Sequence, residues 1–218
     1  MKREEEQIRQ SLANYRPNQF KDKTHYAVLI PLIQRENEWH LLYEVRSSLI
    51  SQPGDTSFPG GKVEAGETFE AAAVRETMEE LNISRKHIEV IGELDGLIHD
   101  ATMIHSYVAL IKDITFDNIS PNAKEVAYLF TLPLDYVLNN NPTYYDASVL
   151  TEVGEDFPFH LMAHGASYQF RVVKRKIPFY NLPSGEYLWG FTASMTQCFA
   201  EVIRNHYDIN VQEEKINE

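Results

Sequence analysis

A stretch without glycine or proline, residues 68–81, is the feature that most constrains the fold of this chain. The stretch is rich in alanine and glutamate, which favour helix, and it therefore predicts one helix. At about 100° per residue, its apolar side chains share one face and three glutamates share the opposite face. The apolar side chains belong to Ala71, Val74, Met78 and Leu81, and the acidic ones to Glu76, Glu79 and Glu80.

The clustering of three glutamates on one helix face needs an explanation. Like charges one helical turn apart repel each other by roughly 0.2–0.5 kcal/mol per pair. Ala72 and Ala73 flank the acids, so we expect open space above the carboxylates. An accessible cluster of carboxylates suits a hard divalent cation such as Mg²⁺ or Mn²⁺, which takes oxygen ligands. The alternative is the solvated polar face that any amphipathic helix has.

The residues before and within this helix follow a fixed spacing, which resembles the Nudix box, the signature of the Nudix hydrolases. The matching residues are Gly61, Glu67, Arg75, Glu76, Glu79 and Glu80. Thr77 stands where the box usually has an aliphatic residue, and Asn82 stands where it usually has glycine. Because asparagine tolerates the left-handed backbone that ends many helices, the helix can still end at Asn82.

This resemblance implies both a fold and a reaction class. The implied fold is of the α+β class, a Nudix-type α/β/α sandwich with a mixed β-sheet. It implies one domain over residues 1–218, with its core at residues 24–205. Nudix hydrolases cleave a nucleoside diphosphate linked to another moiety, with Mg²⁺ or Mn²⁺ as cofactor. The pattern of apolar residues by itself supports only a mixture of strands and helices.

The resemblance also implies the metal ligands. Glu76 and Glu80, one helical turn apart, correspond to the main ligands of the family, and Glu79 to a ligand of a further ion or a residue that orients water. The carbonyl group of Gly60 corresponds to an oxygen ligand from the preceding loop. Glycine at this position lets the backbone approach a metal closely.

The implied catalytic set is Glu76, Glu79, Arg75 and Glu67. In the family, the arginine holds the first glutamate, which in turn positions the carboxylates of the helix. The alternative for Arg75 is an ordinary ion pair with Glu79, four residues further along the helix. Glu76 is the expected general base, and acids outside the box remain alternatives. These are Glu125, Glu152, Glu155 and Asp156.

A second resemblance covers the residues just before the box. The segments LLYEVRS at residues 41–47 and GDTSFPGG at residues 54–61 are similar to the signature of the coenzyme A pyrophosphatase branch. The interval from Arg46 to Gly54 is slightly shorter than in that branch, and a basic residue within it is replaced near Ser51. The resemblance implies hydrolysis of coenzyme A to 3′,5′-ADP and 4′-phosphopantetheine.

Such a substrate is anionic, so the basic residues of this acidic chain indicate where it could bind. By the same resemblance, Arg46 would contact a phosphate as a planar fork, and Lys62 and Gly61 would also bind substrate. A basic cluster comprises Arg171, Lys174, Arg175 and Lys176. This cluster is either a site for the 3′-phosphate or a solvated strand edge protected by charge. Residues 139–170 are predicted to be irregular, as a functional loop or a cover over the substrate.

The sequence also allows other functions. A broader pyrophosphatase would act on ADP-ribose or a dinucleotide. A non-catalytic Nudix-like regulator would bind a nucleotide, but such modules typically lose carboxylates of the box. This chain keeps all four, and a mixed-sheet interaction protein with an accidental match is the remaining alternative.

Composition limits the partners and the compartment. A net charge of −12 and a pI of about 5.1 argue against binding of nucleic acid or an anionic membrane, and leave a small nucleotide as the expected partner. The single cysteine, Cys198, excludes an internal disulfide and fits a reducing compartment. With no apolar signal segment at the N-terminus, we expect a cytoplasmic protein. A polar helix predicted at residues 1–15 could pair across a homodimer.

Hydrophobic periodicity predicts the remaining elements. Strands are predicted at residues 25–34, 38–45, 88–97, 105–112, 125–129, 170–174 and 177–180, the first of them interrupted by Pro31. A short helix is predicted at residues 132–138. A last helix is predicted to have Thr192 as its N-cap and to bury Met195, Cys198, Phe199, Val202 and Ile203. The charged tail from Gln212 is predicted to lie outside the core.

Overall fold

The computed structural model describes Arg9, residues 23–99 and residues 101–216, with side chains of the last helix described as far as residue 205. Apart from Arg9, the polar helix predicted at residues 1–15 lies outside the described residues. The possible homodimer that was inferred from this helix stays a prediction.

Seven strands form one mixed sheet. They are β1 (Thr24–Arg35), β2 (Glu38–Arg46), β3 (Thr56–Ser57), β4 (Gly60–Lys62), β5 (Ile88–His99), β6 (Thr102–Ile111) and β7 (Val126–Pro133). The main path runs β3-β2-β1-β6-β5, while β4 pairs with one end of β1 and β7 pairs with β2. Among the described pairs, β1 and β6 are parallel and the others are antiparallel.

Helices cover both faces of this sheet. Helix α1 (Phe69–Leu81) packs on one face, and α2 (Leu134–Asn139) and α3 (Gly190–Ile216) pack on the other. Along β1, Ala27 and Leu29 belong to the core beneath α1, whereas Ile30 and Leu32 belong to the core beneath α3. Within the described residues, no helix is both long and apolar enough to cross a bilayer. The predicted α+β class, with a mixed sheet between helices, is confirmed.

A second sheet of three strands was not expected. It consists of β8 (Thr143–Val149), β9 (Val173–Asn181) and β10 (Tyr187–Trp189), in the order β10-β9-β8. The prediction that residues 139–170 are irregular is wrong for β8, whose side chains are nearly all exposed and give no periodic apolar signal. The two predicted strands at residues 170–180 are one strand. Single 3₁₀ turns occur at Arg85–His87, Phe116–Asn118, Phe159–Leu161 and Gly165–Ser167.

Pro31 does not interrupt β1, contrary to the prediction. On one side, β1 pairs with β4 at residues 26–28 and with β2 at residues 32–35, which leaves a gap between them. The N–H group of Leu29 points to this side, where it donates to Pro59. By alternation the nitrogen of Pro31 points the same way, into the gap, so its missing N–H group costs no ladder hydrogen bond.

The last helix begins earlier than predicted, at Gly190, so Thr192 is not its N-cap. The Thr192 hydroxyl instead donates to the Thr56 carbonyl at 2.9 Å and ties α3 to β3. Met195 and Phe199 are buried as predicted, but Val202 is 47% exposed. The helical backbone continues to Ile216, through the first residues of the tail that was predicted to lie outside the core.

Candidate active site

Helix α1 is rotated relative to the predicted orientation. Ala72, Ala73 and Glu80 are buried against the sheet, whereas Ala71 is exposed. The prediction that Ala72 and Ala73 leave open space above the carboxylates is therefore wrong, because these alanines pack against the sheet. Because alanine is small, the helix approaches β1 and β4 closely on this face, and the acids point along the edge of β4. This edge is where any active site based on the box would lie.

The two ends of α1 follow their local signals. The Thr68 hydroxyl caps the first turn by accepting from the Ala71 N–H group at 3.1 Å. Asn82 ends the helix in the left-handed conformation with φ 56°, as its side chain allows. Thr77 is fully buried, and its hydroxyl donates to the Ala73 carbonyl at 2.7 Å. The unusual threonine therefore leaves no unpaired hydroxyl beneath the helix.

Arg75 holds two carboxylates of the box at once. Its guanidinium donates to both oxygens of Glu67, at 2.8 and 3.2 Å, and to Oε1 of Glu76 at 2.9 Å. The distance to Glu79 is longer, 3.7 Å, so the ordinary pair along the helix is the weaker contact. The hydrogen bonds from Arg75 hold the pKa of Glu67 below its usual range. The contact between Arg75 and Glu67 is present as the box implies.

The glycine pair of β4 touches both metal-ligand candidates of α1. The Gly60 N–H group donates to Oε2 of Glu80 at 2.8 Å. At Gly61, an added Cβ atom would lie only 2.3 Å from the carboxylate of Glu76. A larger residue would therefore displace Glu76, which explains why glycine fits between the strand and the helix.

Glu44 of β2 is a further acid that the sequence reasoning missed. Its residue is 2% exposed, and Oε1 accepts from the Ser57 hydroxyl at 2.8 Å. Oε2 is buried without a hydrogen-bond partner among the described residues. Burial raises the pKa of Glu80, and repulsion from the Glu44 carboxylate raises it further. One signal was available, because Glu44 interrupts the otherwise apolar run at residues 41–45.

The buried acids predict a pH dependence of stability for the metal-free protein. Burial raises the pKa values of Glu44, Glu76 and Glu80, so the folded state binds more protons than the unfolded state. The free energy of unfolding therefore falls as the pH rises from the ordinary carboxyl pKa, where the unfolded state loses these protons, to the raised pKa values of about 7 for Glu44 and about 9 for Glu80. We expect the midpoint of thermal unfolding to fall steadily from about pH 5 to about pH 9.

The control for this pH dependence is Glu44→Gln, which cannot ionise. Calorimetric melting of both proteins between about pH 5 and pH 7, where the contribution of Glu44 falls, should give a shallower slope for the variant than for the wild type. Histidines that titrate in this range are common to both proteins and cancel in the comparison. Glu67 does not interfere, because its pKa is lowered and its contribution is lost only at acidic pH. Equal slopes would show that Glu44 is already ionised without cost in the folded protein.

Of the acids considered as a general base outside the box, Glu125 is near the site. Its charge raises the pKa values of Glu76 and Glu80, and its Oε1 accepts from Asn122 at 2.9 Å. The other three follow β8 in an exposed segment and, among the described interactions, do not shift the pKa of any box acid. They are Glu152, Glu155 and Asp156.

The donor atoms at this edge fit a hard divalent cation by their chemistry. Glu76, Glu79 and Glu80 supply oxygens, and the buried Oε2 of Glu44 lacks a partner that a cation would provide, directly or through water. The acids are not arranged as a finished cage, since no group of three or more His, Cys, Asp or Glu side chains in the described residues converges on one point. Arg75 holds one oxygen of Glu76 and the Gly60 N–H group holds one oxygen of Glu80, so a cation would bind through the second oxygen of each carboxylate.

A cavity of about 760 Å³ opens beside β4, on the face of the sheet that carries α3. Gly60 and Gly61 line it, as does Arg46, whose guanidinium is hydrogen-bonded to Ser51 at 2.8 and 3.1 Å. Lys62 does not line this cavity, and its carbonyl group instead accepts from Arg75. Of the three residues predicted to bind substrate, Arg46 and Gly61 thus reach the cavity.

The cavity also receives part of the predicted basic cluster. Arg175 and Lys176 of β9 line it, together with His99 and the aromatic residues Trp189 and Phe191. The other two members of the cluster, Arg171 and Lys174, are exposed outside it. A volume of this size lies within the range of roughly 300–1,000 Å³ that is usual for small-molecule sites.

Comparison with known proteins gives one family and several relatives. The NUDIX domain family matches residues 23–148. The mouse protein named peroxisomal coenzyme A diphosphatase NUDT7 is 35% identical over 137 residues, 62% of this chain and 57% of the relative. The human protein named mitochondrial coenzyme A diphosphatase NUDT8 is 36% identical over 117 residues, 51% of this chain and 49% of the relative.

The chain thus spans about half the length of these two relatives. Among solved structures, a MutT/nudix family protein from Enterococcus faecalis is 14% identical, with a TM-score of 0.48. That match covers 91% of this chain and 69% of the other.

Proposed function

Because the chain belongs to the NUDIX domain family, we propose that it is a metal-dependent pyrophosphohydrolase that cleaves coenzyme A or its derivatives. The products are 3′,5′-ADP and 4′-phosphopantetheine, the latter still acylated when the substrate is a thioester. One observation carries this proposal: the carboxylates of Glu76 and Glu80 meet the Gly60–Gly61 strand, which also lines the large cavity with its basic residues.

In this proposal the metal ligands are Glu76, Glu79, Glu80 and the carbonyl group of Gly60. Mg²⁺ or Mn²⁺, when bound there, neutralises charge on the pyrophosphate and lowers the pKa of water. Glu80 is held at Gly60 by one oxygen, which leaves its second oxygen for a ligand. The carboxylates of Glu44 and Glu80 repel each other, and a divalent cation at this position would relieve that repulsion.

The remaining residues of the box orient these groups. Arg75 fixes the Glu76 carboxylate through one nitrogen and Glu67 through two, so that Glu76 is aimed at the glycine strand. Glu76 is the general base that takes a proton from the attacking water, and Glu125 is the nearest alternative. The water oxygen bonds to one phosphorus atom, the bond between that phosphorus and the bridging oxygen breaks, and the other phosphate leaves with the bridging oxygen.

The assignment of coenzyme A as the substrate rests on two further observations. Two relatives carry coenzyme A diphosphatase in their names, and residues 41–61 resemble the signature of that branch. Arg46 of that signature lines the cavity, as a residue that binds a phosphate should. The second sheet supplies a wall of the same cavity, which supports one functional domain over the chain.

The relatives differ in compartment, since one is named peroxisomal and the other mitochondrial. A cytoplasmic location stays a prediction from the sequence for this chain.

A substrate comparison tests this proposal. The purified protein is incubated with coenzyme A, dephospho-coenzyme A or ADP-ribose in the presence of Mg²⁺ or Mn²⁺. Coenzyme A should give the highest kcat/KM, because it alone carries a 3′-phosphate on its adenosine ribose besides the pyrophosphate. Equal turnover of dephospho-coenzyme A, or faster turnover of ADP-ribose, would contradict the assignment of coenzyme A and leave a broader pyrophosphatase. Inactivity on all three would favour a nucleotide-binding regulator.

A further inference from the structure

One wall of the cavity comes from residues that follow the family match. The match ends at residue 148, whereas Arg175 and Lys176 lie on β9 and Trp189 lies on β10. These residues line the same cavity as Gly60 and Gly61 of the box. The part of the chain beyond the matched segment therefore contributes to what the cavity can bind.

We propose that Arg175, positioned by His99, binds a phosphate on the ribose of the substrate, and that it selects nucleotides that carry this phosphate besides their pyrophosphate. The inference rests on the proposed function, because it assumes that a pyrophosphate is cleaved at the Gly60–Gly61 strand. It makes Arg175 a specificity-determining residue.

The contact between Arg175 and His99 joins the two sheets at the cavity wall. Nη1 of Arg175 meets Nε2 of His99, which lies at the end of β5. Since a guanidinium can only donate, the ring nitrogen of His99 accepts in this contact. The ring of Phe191 packs edge-on against His99 at 5.0 Å and limits its rotation. The guanidinium plane is thus held in a fixed direction, which suits recognition of a phosphate.

The spacing of the strands separates this site from the box. Gly61 of β4 pairs with β1, β1 pairs with β6, and β6 pairs with β5 at His99. Three strand spacings of roughly 4.8 Å give about 14 Å between the backbones of β4 and β5. Arg175 meets His99 at this end of β5 and lines the same cavity as Gly61, so one ligand in the cavity can reach both positions. A ribose with a 5′-pyrophosphate and a further phosphate presents two such anionic groups.

The charge of the cavity favours an anion with more than one phosphate. The chain has a net charge of −12, yet the cavity is lined by three permanent cations and one acid. The cations are Arg46, Arg175 and Lys176, and the acid is Asp55. An acidic protein that concentrates cations in one cavity attracts anionic ligands to that cavity.

The neighbouring residue Lys174 provides a matched control on the same strand. Lys174 is exposed and does not line the cavity, whereas Arg175 is half-buried and lines it. If the basic cluster only protected a strand edge, the two residues would be equivalent. If Arg175 binds a phosphate, only its replacement changes the choice of substrate.

The test compares Arg175→Gln with Lys174→Gln. In Arg175→Gln we expect kcat/KM for coenzyme A to fall about 10- to 100-fold, with little change for dephospho-coenzyme A, because a charged hydrogen bond is lost only with the first substrate. Lys174→Gln should leave both values unchanged. Arg175→Lys keeps the charge without the planar fork and should lie between the wild type and Arg175→Gln. Equal losses for both substrates in Arg175→Gln would overturn the inference.

Metal-free calorimetry separates this inference from the proposed function. The wild type should bind 3′,5′-ADP more tightly than AMP, and Arg175→Gln should bind the two equally. If this preference is present and depends on Arg175 while coenzyme A is not cleaved, the phosphate site is correct and the proposed function is wrong. If coenzyme A is cleaved but Arg175→Gln keeps the preference for 3′,5′-ADP, the proposed function stands and the phosphate site is wrong.

Discussion

Replacing Glu80 with glutamine is expected to lower kcat by about two to three orders of magnitude while the fold is retained. Glutamine has nearly the same size and can still accept from the Gly60 N–H group, so the strand and the helix stay joined. The change removes the carboxylate charge that would bind the cation. It also removes repulsion with Glu44, so the metal-free variant should melt at the same temperature as the wild type or slightly higher.

The control for Glu80→Gln is Glu70→Gln, which changes the same residue type on the exposed face of the same helix. Kinetics, thermal melting and Mn²⁺ binding followed by electron paramagnetic resonance would be measured for both variants. Glu70→Gln should resemble the wild type in all three. Unchanged turnover and Mn²⁺ binding in Glu80→Gln would remove Glu80 from the site.

Replacing each of the two glycines of β4 with alanine is expected to affect a different property, catalysis for Gly61 and stability for Gly60. In Gly61→Ala the new Cβ meets the end of the flexible Glu76 side chain, so the carboxylate moves and the backbone does not. We expect kcat to fall about 100-fold, since a displacement of about 1 Å can cost this much, with a small change in the free energy of unfolding. In Gly60→Ala the Cβ lies 2.5 Å from the Ala27 carbonyl oxygen and 2.6 Å from Cα of Val28.

Because neither backbone atom can move away freely, Gly60→Ala should lower the free energy of unfolding by about 1–3 kcal/mol or more. Urea unfolding and steady-state kinetics on both variants would separate the two effects. The pair serves as its own control, because the substitutions are identical and adjacent. A stable, inactive Gly60→Ala together with an unstable Gly61→Ala would show that the roles of the two glycines are reversed.

The sequence predicted the helix of the box and its ends because those signals are local. Thr68 and Asn82 act through their own side chains and backbone, and both lie where they were expected. The orientation of the helix was wrong because it was inferred from hydrophobicity alone. Ala72 and Ala73 pack in the core with β1 as small residues, and Glu80 is buried too, although a count of apolar residues alone would place Glu80 in solvent.

The parts of the site that were missed depend on contacts between distant segments. Glu44 comes to Glu80 from a different strand, and its partner Ser57 lies on β3. Arg175 reaches His99 across 76 residues of sequence. The exposed strand β8 and the short strand β10 that complete the second sheet carry little periodic signal. No local pattern shows which of four neighbouring cations faces the cavity, because that depends on how the second sheet docks.

The central claim is that the box acids cleave a pyrophosphate with a divalent cation. The most direct measurement is the mass of the products formed from coenzyme A in the substrate comparison, separated by chromatography, with and without a chelator. We expect 3′,5′-ADP and 4′-phosphopantetheine in equal amounts with Mg²⁺ or Mn²⁺ and intact coenzyme A with the chelator. Intact coenzyme A with both metals, or products that form equally well in the presence of the chelator, would contradict the account.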